Sequence, residues 1–173
     1  MDKFQAFVAL MNLTLSHNII PFYRFDERQI KNRLQIFKQI FFHNLPDLCD
    51  YFEELDILPE HYLIEWTMTL FSKNLNIDIV ARIWDIYMIE GIKAIYQASI
   101  GKNNSLIFNF KVILSHFEKK FIASDFEYIM QSIKNLNSLN FDEDQFVEMM
   151  KQVKFPNWVE QEIQKLKDEY IPI

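Results

Sequence analysis

Apolar residues recur along this chain at intervals of three and four, which is the period of an α-helix with one buried face. The pattern first runs from Asp2, a residue type that caps helices, to about Ser16. It returns after Asp26, which together with Gln29 has the D-x-x-Q spacing of a capping box. Residues 19–25 interrupt the period and are expected to form a connector. The chain therefore begins with two predicted helices.

Two prolines mark the starts of the next two helices. Proline fits the first helical position because its missing N–H would have no partner there, and Pro46 and Pro59 each precede an apolar-periodic segment. The second segment predicts a broad buried surface made of Tyr62, Leu63, Trp66, Leu70 and Phe71.

The stretch from Ile77 to Ile89, IDIVARIWDIYMI, is apolar nearly all the way round a helical wheel. Only Asp78, Arg82 and Asp85 interrupt it, and their spacing places all three charges on one stripe. We therefore predict a central, buried helix that ends at Gly91 and carries an internal acid–base–acid network. The three charges could also be an active-site constellation, but a structural ion network is the preferred interpretation.

The remaining chain continues with the helical period. Ser124 with Glu127, and Asp142 with Gln145, have the spacing of capping boxes. A last helix is expected from about Pro156, and its predicted buried side chains are Trp158, Val159, Ile163 and Leu166.

Composition supports a single all-α domain, a multi-helix bundle. Half of the 173 residues are apolar, and only two are glycines, which leaves little turn chemistry for sheets or barrels. Neither glycine fits a phosphate-binding loop, so no nucleotide cofactor is expected. The net charge of −6 and the absence of basic runs exclude nucleic acid as the expected partner.

Candidate catalytic chemistry is sparse. Cys49 is the only cysteine and is interpreted as a buried structural thiol. No metal site is predicted, because the four histidines are scattered at spacings that form no ligand pair on a helix: His17, His43, His61 and His116. Paired carboxylates or a nucleophile with a base are also missing, so the chain is not expected to be an enzyme.

A membrane-spanning segment is considered and rejected. Residues 4–23 contain no Asp, Glu, Lys or Arg, a length that could span a bilayer. Polar residues dilute the segment and Pro21 breaks it, so a helix packed against the domain is predicted instead.

The segment from Leu58 to Ile95 resembles the second half of the TBC domain of Rab GTPase-activating proteins. That family has Y-L-x-x-W-F-x-x-L-F-S followed by L-P-L-D, R-I-W-D and an acidic residue with glycine. The positions in register here include Trp66, Asp78, Arg82, Trp84, Asp85 and Gly91. Flanking segments at both ends agree, so the resemblance covers nearly the whole chain. The six residues are interpreted as a structural family signature with no catalytic member.

The resemblance implies a regulator of Rab-type GTPases. Family members insert an Arg from I-x-x-D-x-x-R and a Gln from Y-x-Q, which stabilise charge on the phosphoryl group and orient the attacking water. Neither motif occurs in this sequence. We therefore expect residues 1–173 to be the C-terminal half of the domain, a supporting, GTPase-facing part with little activity alone. A cytoplasmic location, with contact to endomembranes through the GTPase, follows from the resemblance. The alternative is a non-catalytic helical adaptor that binds a Rab or another protein.

Two further expectations concern the limits of the resemblance. Residues 102–112 interrupt a helix that is usually continuous in the family, and they are either a surface insertion that returns to helix near Leu106 or translated intervening sequence. A half-domain should also expose the apolar surface that its partner half would cover. We predict this surface around Phe4, Phe7 and Met11.

Overall fold

The computed structural model describes residues 2–14, 19–101, 113–122, 124–136 and 142–168. Within these ranges it contains no strand, so the predicted all-α fold is confirmed. The helices are α1 (Lys3–Thr14), α2 (Ile20–Tyr23), α3 (Glu27–Asn44), α4 (Pro46–Glu54), a 3-10 turn (Pro59–His61), α5 (Leu63–Thr69), α6 (Ile77–Glu90), α7 (Ile92–Ile100), α8 (Ile113–Phe121), α9 (Phe126–Lys134), α10 (Glu143–Lys151) and α11 (Asn157–Asp168).

The predicted caps of α1 and α3 are confirmed. The Asp2 side chain accepts a hydrogen bond from the Gln5 N–H at 2.8 Å, and the Gln5 side chain accepts from the Asp2 N–H at 3.0 Å. The Asp26 carboxylate accepts from the Gln29 N–H at 3.1 Å. These contacts satisfy N–H groups that a helix leaves without partners in its first turn.

The caps of α9 and α10 had different outcomes. Asp142 caps α10 as expected, accepting from the Gln145 N–H at 3.0 Å. The prediction for α9 was wrong by one residue, because Asp125 accepts from the Tyr128 N–H at 2.8 Å. Ser124 instead donates its hydroxyl to the Lys120 carbonyl, which ends α8.

Helix α7 lies innermost in the bundle. All of its residues except Lys93 are buried. A chain of aromatic rings lies in the core around it, with neighbouring ring centroids 5.0 to 6.2 Å apart. The rings come from α3 (Phe37, Phe41), α4 (Phe52), α5 and its flanking residues (Tyr62, Trp66, Phe71), α7 itself (Tyr96) and α8 (Phe121). Pro46 begins α4 as predicted, whereas Pro59 begins the 3-10 turn that precedes α5, and Leu70 and Phe71 lie just beyond that helix. The predicted apolar surface from Tyr62 to Phe71 is buried.

The prediction that α6 is buried on all sides was wrong. This helix buries one face, formed by Ile79, Val80, Ile83 and Tyr87. Its other face leaves Ile77, Met88 and Ile89 exposed by 69%, 60% and 83% of their surface. The face with Ile79, Val80, Ile83 and Tyr87 is buried because α6 packs on α7 and α10, and the opposite face is left in solvent.

Two local expectations are also corrected. Residues 19–25 are not a simple connector but contain α2, in which Ile20, Pro21 and Phe22 are buried. Proline is tolerated there because it lies in the first turn of the helix. Trp158, predicted to be buried on α11, is 46% exposed, while Val159, Ile163 and Leu166 are buried as expected.

Asn44 ties the end of α3 to the segment between α10 and α11. Its buried amide donates to the Ile40 carbonyl at 2.8 Å and to the Lys154 carbonyl at 2.9 Å, and its oxygen accepts from the Lys154 N–H at 2.9 Å. The predicted insertion at residues 102–112 lies outside the described residues.

Candidate functional site: the signature helix and the exposed first helix

The turn between α5 and α6 has an unusual backbone. Leu70 and Phe71 have φ values of 46° and 62°, in the left-handed region that residues other than glycine seldom adopt. Both side chains are buried, and the Phe71 ring lies 5.4 Å from the Trp66 ring. Burial of the two side chains therefore offsets the cost of this conformation, and no glycine in the sequence signals it.

Trp66 and Trp84 both contact this turn, Trp66 through the Phe71 ring and Trp84 through the Leu70 carbonyl. Trp66 is a core residue, only 1% exposed, as predicted. Trp84 is only partly buried, and its indole N–H donates to the Leu70 carbonyl at 3.0 Å. Trp84 is therefore less of a core residue than the sequence suggested, and its indole N–H links α6 to the end of α5.

Arg82 does not form the predicted buried network. Its guanidinium lies 3.4 Å from Glu143 and 3.9 Å from Asp144, both at the start of α10. Among the described residues, neither Asp78 nor Asp85 forms an ion pair, and both are exposed. The Arg82 side chain is 49% exposed. The reason is that the charged stripe of α6 faces solvent and α10. Carboxylates of α10 therefore reach the guanidinium, and those of α6 do not pair with it.

Sequence reasoning missed Glu143 and Asp144 because they follow Arg82 by more than sixty residues. The only available signal was the acidic first turn of α10, which follows the predicted cap Asp142 and which the sequence analysis did not connect to Arg82. Arg82 therefore pairs with two carboxylates of α10, on a surface where Asp78 and Asp85 of α6 are also exposed.

Gly91 separates α6 from α7 with φ 67° and ψ −139°, a conformation essentially restricted to glycine. Its N–H donates to the Tyr87 carbonyl at 2.8 Å, and the Ala94 N–H donates to the Gly91 carbonyl at 3.0 Å. The glycine therefore ends one helix and begins the next, as the sequence indicated for the end of α6.

The exposed apolar surface predicted at the N-terminus is confirmed. On α1, Phe4 is 75% exposed, Phe7 58% and Met11 38%, and Val8 and Leu10 are exposed beside them. The expectation that this helix packs against the domain was wrong for these side chains. Such a contiguous apolar surface is typical of a site that another polypeptide covers.

Burial shifts the titratable groups of the core toward their neutral forms. Burial raises the pKa of the Cys49 thiol to about 11, so the nucleophilic thiolate is suppressed at neutral pH. Burial also raises the pKa of the Tyr62 and Tyr96 hydroxyls. The hydroxyl of Tyr96 donates to the Arg33 carbonyl at 2.9 Å, a structural role.

The described residues hold neither a metal-binding cluster nor a membrane-spanning helix. In these ranges no group of His, Cys, Asp or Glu side chains comes together in a way that could hold a metal ion. None of the described helices has the length and apolarity needed to cross a bilayer.

Comparison with known proteins agrees with this picture. The family model of the Rab-GTPase-TBC domain matches residues 1–106, more than half of the chain. TBC1 domain family member 14 of Homo sapiens is 30% identical over 136 residues, covering 79% of this chain and 18% of that protein. TBC1 domain family member 12 of Xenopus tropicalis is 29% identical with the same coverage.

A third relative extends the match further along the chain. Drainin of Dictyostelium discoideum is 29% identical over 153 residues, 88% of this chain and 32% of that protein. The chain thus spans less than a third of the length of these relatives. From the matched residues, the helical fold and the signature turn at Trp66 and Trp84, we conclude that the chain belongs to the Rab-GTPase-TBC domain family.

Proposed function

We propose that residues 1–173 form the C-terminal, supporting half of a Rab-GAP TBC domain and that GTPase activation requires the other half. The family match and the absence of both finger motifs from the sequence support this. Without an arginine finger and a water-positioning glutamine, the two largest contributions to GTPase activation are missing. The chain alone is therefore expected to have little activating power.

The observation that carries the proposal is the exposure of α1. Its side chains from Phe4 to Met11 are mostly apolar and lie largely in water, and the helix contains no acidic residue. Leaving such a surface in water costs free energy roughly in proportion to its apolar area. The other half of the domain is the occupant that removes this cost, and its contact with α1 would join the two halves.

Within this arrangement the signature residues have a supporting role. Trp66, Trp84 and Gly91 shape the turns at the two ends of α6. Asp78, Arg82 and Asp85 lie on the exposed face of that helix, where a GTPase or the other half of the domain could reach them. The GTPase would place the assembled domain in the cytoplasm, at endomembranes.

The first experiment is a GTP hydrolysis assay over a panel of Rab GTPases. Residues 1–173 should not accelerate hydrolysis, and clear stimulation by the chain alone would refute the proposal. GTP-dependent binding of a Rab without faster hydrolysis would favour the alternative, a non-catalytic adaptor.

The second experiment tests the role of α1. The first half of the TBC domain of human TBC1 domain family member 14 is co-expressed with residues 1–173, and co-purification is measured. The double variant Phe4→Ser and Phe7→Ser should lose the partner, while Phe42→Ser, at a 50% exposed position on α3, should retain it. Equal co-purification of both variants would contradict an α1 interface.

The proposed insertion at residues 102–112 has a separate test. The family match ends at residue 106, inside this segment, which supports a departure from the family pattern there. Sequencing the transcript distinguishes the two origins, because an mRNA without these codons excludes a genuine surface insertion.

A further inference from the structure

The turn between α2 and α3 exposes an aromatic ring that the fold does not use. Phe25 has φ 55°, in the left-handed region that is unfavourable for a bulky side chain, and it is 75% exposed. At Leu70 and Phe71 the same conformation is offset by burial of both side chains. Phe25 gains no such burial. A strained residue whose side chain stays in water is a candidate contact to another molecule.

The backbone around Phe25 is tied down, so its ring is held at the surface. The Asp26 N–H donates to the Pro21 carbonyl at 3.0 Å, which closes the turn around Phe25. Tyr23, the last residue of α2, is 46% exposed, and its hydroxyl donates to the Met68 carbonyl at 2.6 Å. The turn therefore presents two aromatic rings to solvent from a fixed position beside the end of α5.

Exposed cations accompany these rings. Arg24, Arg28 and Lys31 are all exposed, and within the described part of the chain none of them forms an ion pair. Arg28 and Lys31 are three residues apart on α3 and therefore neighbours on its surface. From Arg24 to Lys31 the one exposed carboxylate is Glu27, because the Asp26 side chain is partly buried and caps α3. The turn is thus a basic as well as an aromatic surface.

This surface differs in sign from the rest of the protein. Residues 1–45 contain six basic and three acidic residues, whereas residues 46–173 contain twelve basic and twenty-one acidic ones. Exposed carboxylates collect on the surface formed by α6 and the start of α10, which includes Asp78 and Asp85. Charge asymmetry of this kind in an acidic chain indicates contact with an anionic surface through the basic part.

We propose that the α2–α3 turn contacts the surface of an anionic membrane, with the Phe25 ring in the headgroup region and the three cations on lipid phosphates. Aromatic rings favour the membrane–water interface, and anionic lipids attract nearby Lys and Arg side chains. A protein pocket is the less favoured occupant, because aromatic anchors between proteins are usually ringed by contacts that exclude water, whereas Phe25 is flanked by solvated charges. One ring and three cations bind weakly alone, so the turn orients a protein that a second interaction holds at the membrane.

The test measures co-sedimentation of the full chain with vesicles of phosphatidylserine and phosphatidylcholine. Every protein carries Phe4→Ser and Phe7→Ser, so that the apolar surface of α1 does not bind the vesicles. The double variant Arg28→Gln and Lys31→Gln should bind about 25-fold more weakly, since each cation near an anionic membrane contributes about fivefold. Phe25→Gly should bind about fivefold more weakly. Because glycine relieves the strained backbone, unfolding cannot account for this loss.

Matched controls come from other surfaces of the protein. Lys134→Gln, at an exposed position on α9, and Phe42→Ser, at a 50% exposed position on α3, should leave binding unchanged. Vesicles of phosphatidylcholine alone should bind much less protein, and added salt should weaken binding to the anionic vesicles.

Four outcomes overturn the proposal. These are no binding to anionic vesicles, equal binding to neutral ones, turn variants that bind as the background protein does, and loss of Rab binding in Phe25→Gly with vesicle binding unchanged. The last outcome would assign the ring to a protein partner. The turn and the apolar surface of α1 share no residue, so failure here leaves the proposed function standing.

Discussion

The indole N–H of Trp84 donates to the carbonyl of Leu70 at 3.0 Å, across the turn that joins α5 to α6. Leu70 has a left-handed backbone with φ 46°, and its carbonyl is thereby turned toward the next helix. This single bond connects the two halves of the family signature. It also explains why tryptophan is suited to a position that is only partly buried.

Replacing Trp84 by Phe removes this hydrogen bond and keeps an aromatic ring. We expect a loss of about 1 kcal/mol in the free energy of unfolding, the usual net value of one such bond. Chemical denaturation measures it. Trp158→Phe is the matched control, because its indole donates to no group among the described residues, and a similar loss in both variants would contradict a role for the Leu70 contact.

Arg82→Ala should be a mild substitution. The guanidinium is half exposed and pairs with carboxylates that are themselves partly or fully exposed, so we expect a loss below about 1 kcal/mol. The effect should shrink further at high salt, because exposed pairs are screened. Thermal unfolding at two ionic strengths tests this, and a loss of several kcal/mol would restore the buried network that the sequence suggested.

Asn44→Ala should be much more harmful. It removes three hydrogen bonds and leaves the N–H and carbonyl of Lys154 without their partner. We expect a loss of about 2 to 3 kcal/mol, the cost of unsatisfied partly buried groups. Asn32→Ala, on the same helix at a partly exposed position, serves as the control for removal of an asparagine side chain. Equal stability of the two variants would exclude the interhelical role of Asn44.

Phe25→Gly should stabilise the protein. Phe25 has φ 55° and is 75% exposed, so glycine relieves an unfavourable conformation and sacrifices little packing. Glycine also makes the unfolded chain more flexible, which offsets part of this benefit. We therefore expect the free energy of unfolding to rise by about 0.5 to 1 kcal/mol. Phe42→Gly, inside α3, should do the opposite and cost at least about 1 kcal/mol. Denaturant midpoints of the pair test the sign directly.

Stability should fall at alkaline pH because of Cys49. Its pKa is about 11 in the folded protein and near its ordinary value of 9.0 in the unfolded chain. Because folding raises the pKa of this thiol, its protonated form contributes fully to the free energy of unfolding below about pH 9. This stabilisation is lost as the pH rises toward 11. Relative to Cys49→Ala, the parent should lose roughly 2 kcal/mol over this range. A constant difference between the two proteins across these pH values would disprove the contribution of the thiol.

Local signals were sufficient for most of the helices, several caps and the family. Asp26 with Gln29, and Asp142 with Gln145, act within one helical turn, so nothing distant can change their geometry much. The placement of α6 was not predictable in this way. Both α6 and α7 are strongly apolar with a helical period, and hydropathy alone does not say which of them is enclosed.

The tertiary structure decided two matters that lie beyond any local window. It placed α7 inside and left Met88 and Ile89 of α6 in water, because the other helices pack around α7. It brought carboxylates of α10 to Arg82 from more than sixty residues away. Periodicity and capping are short-range properties of the chain, whereas burial and ion pairing depend on which helices meet, and only the packed bundle determines that.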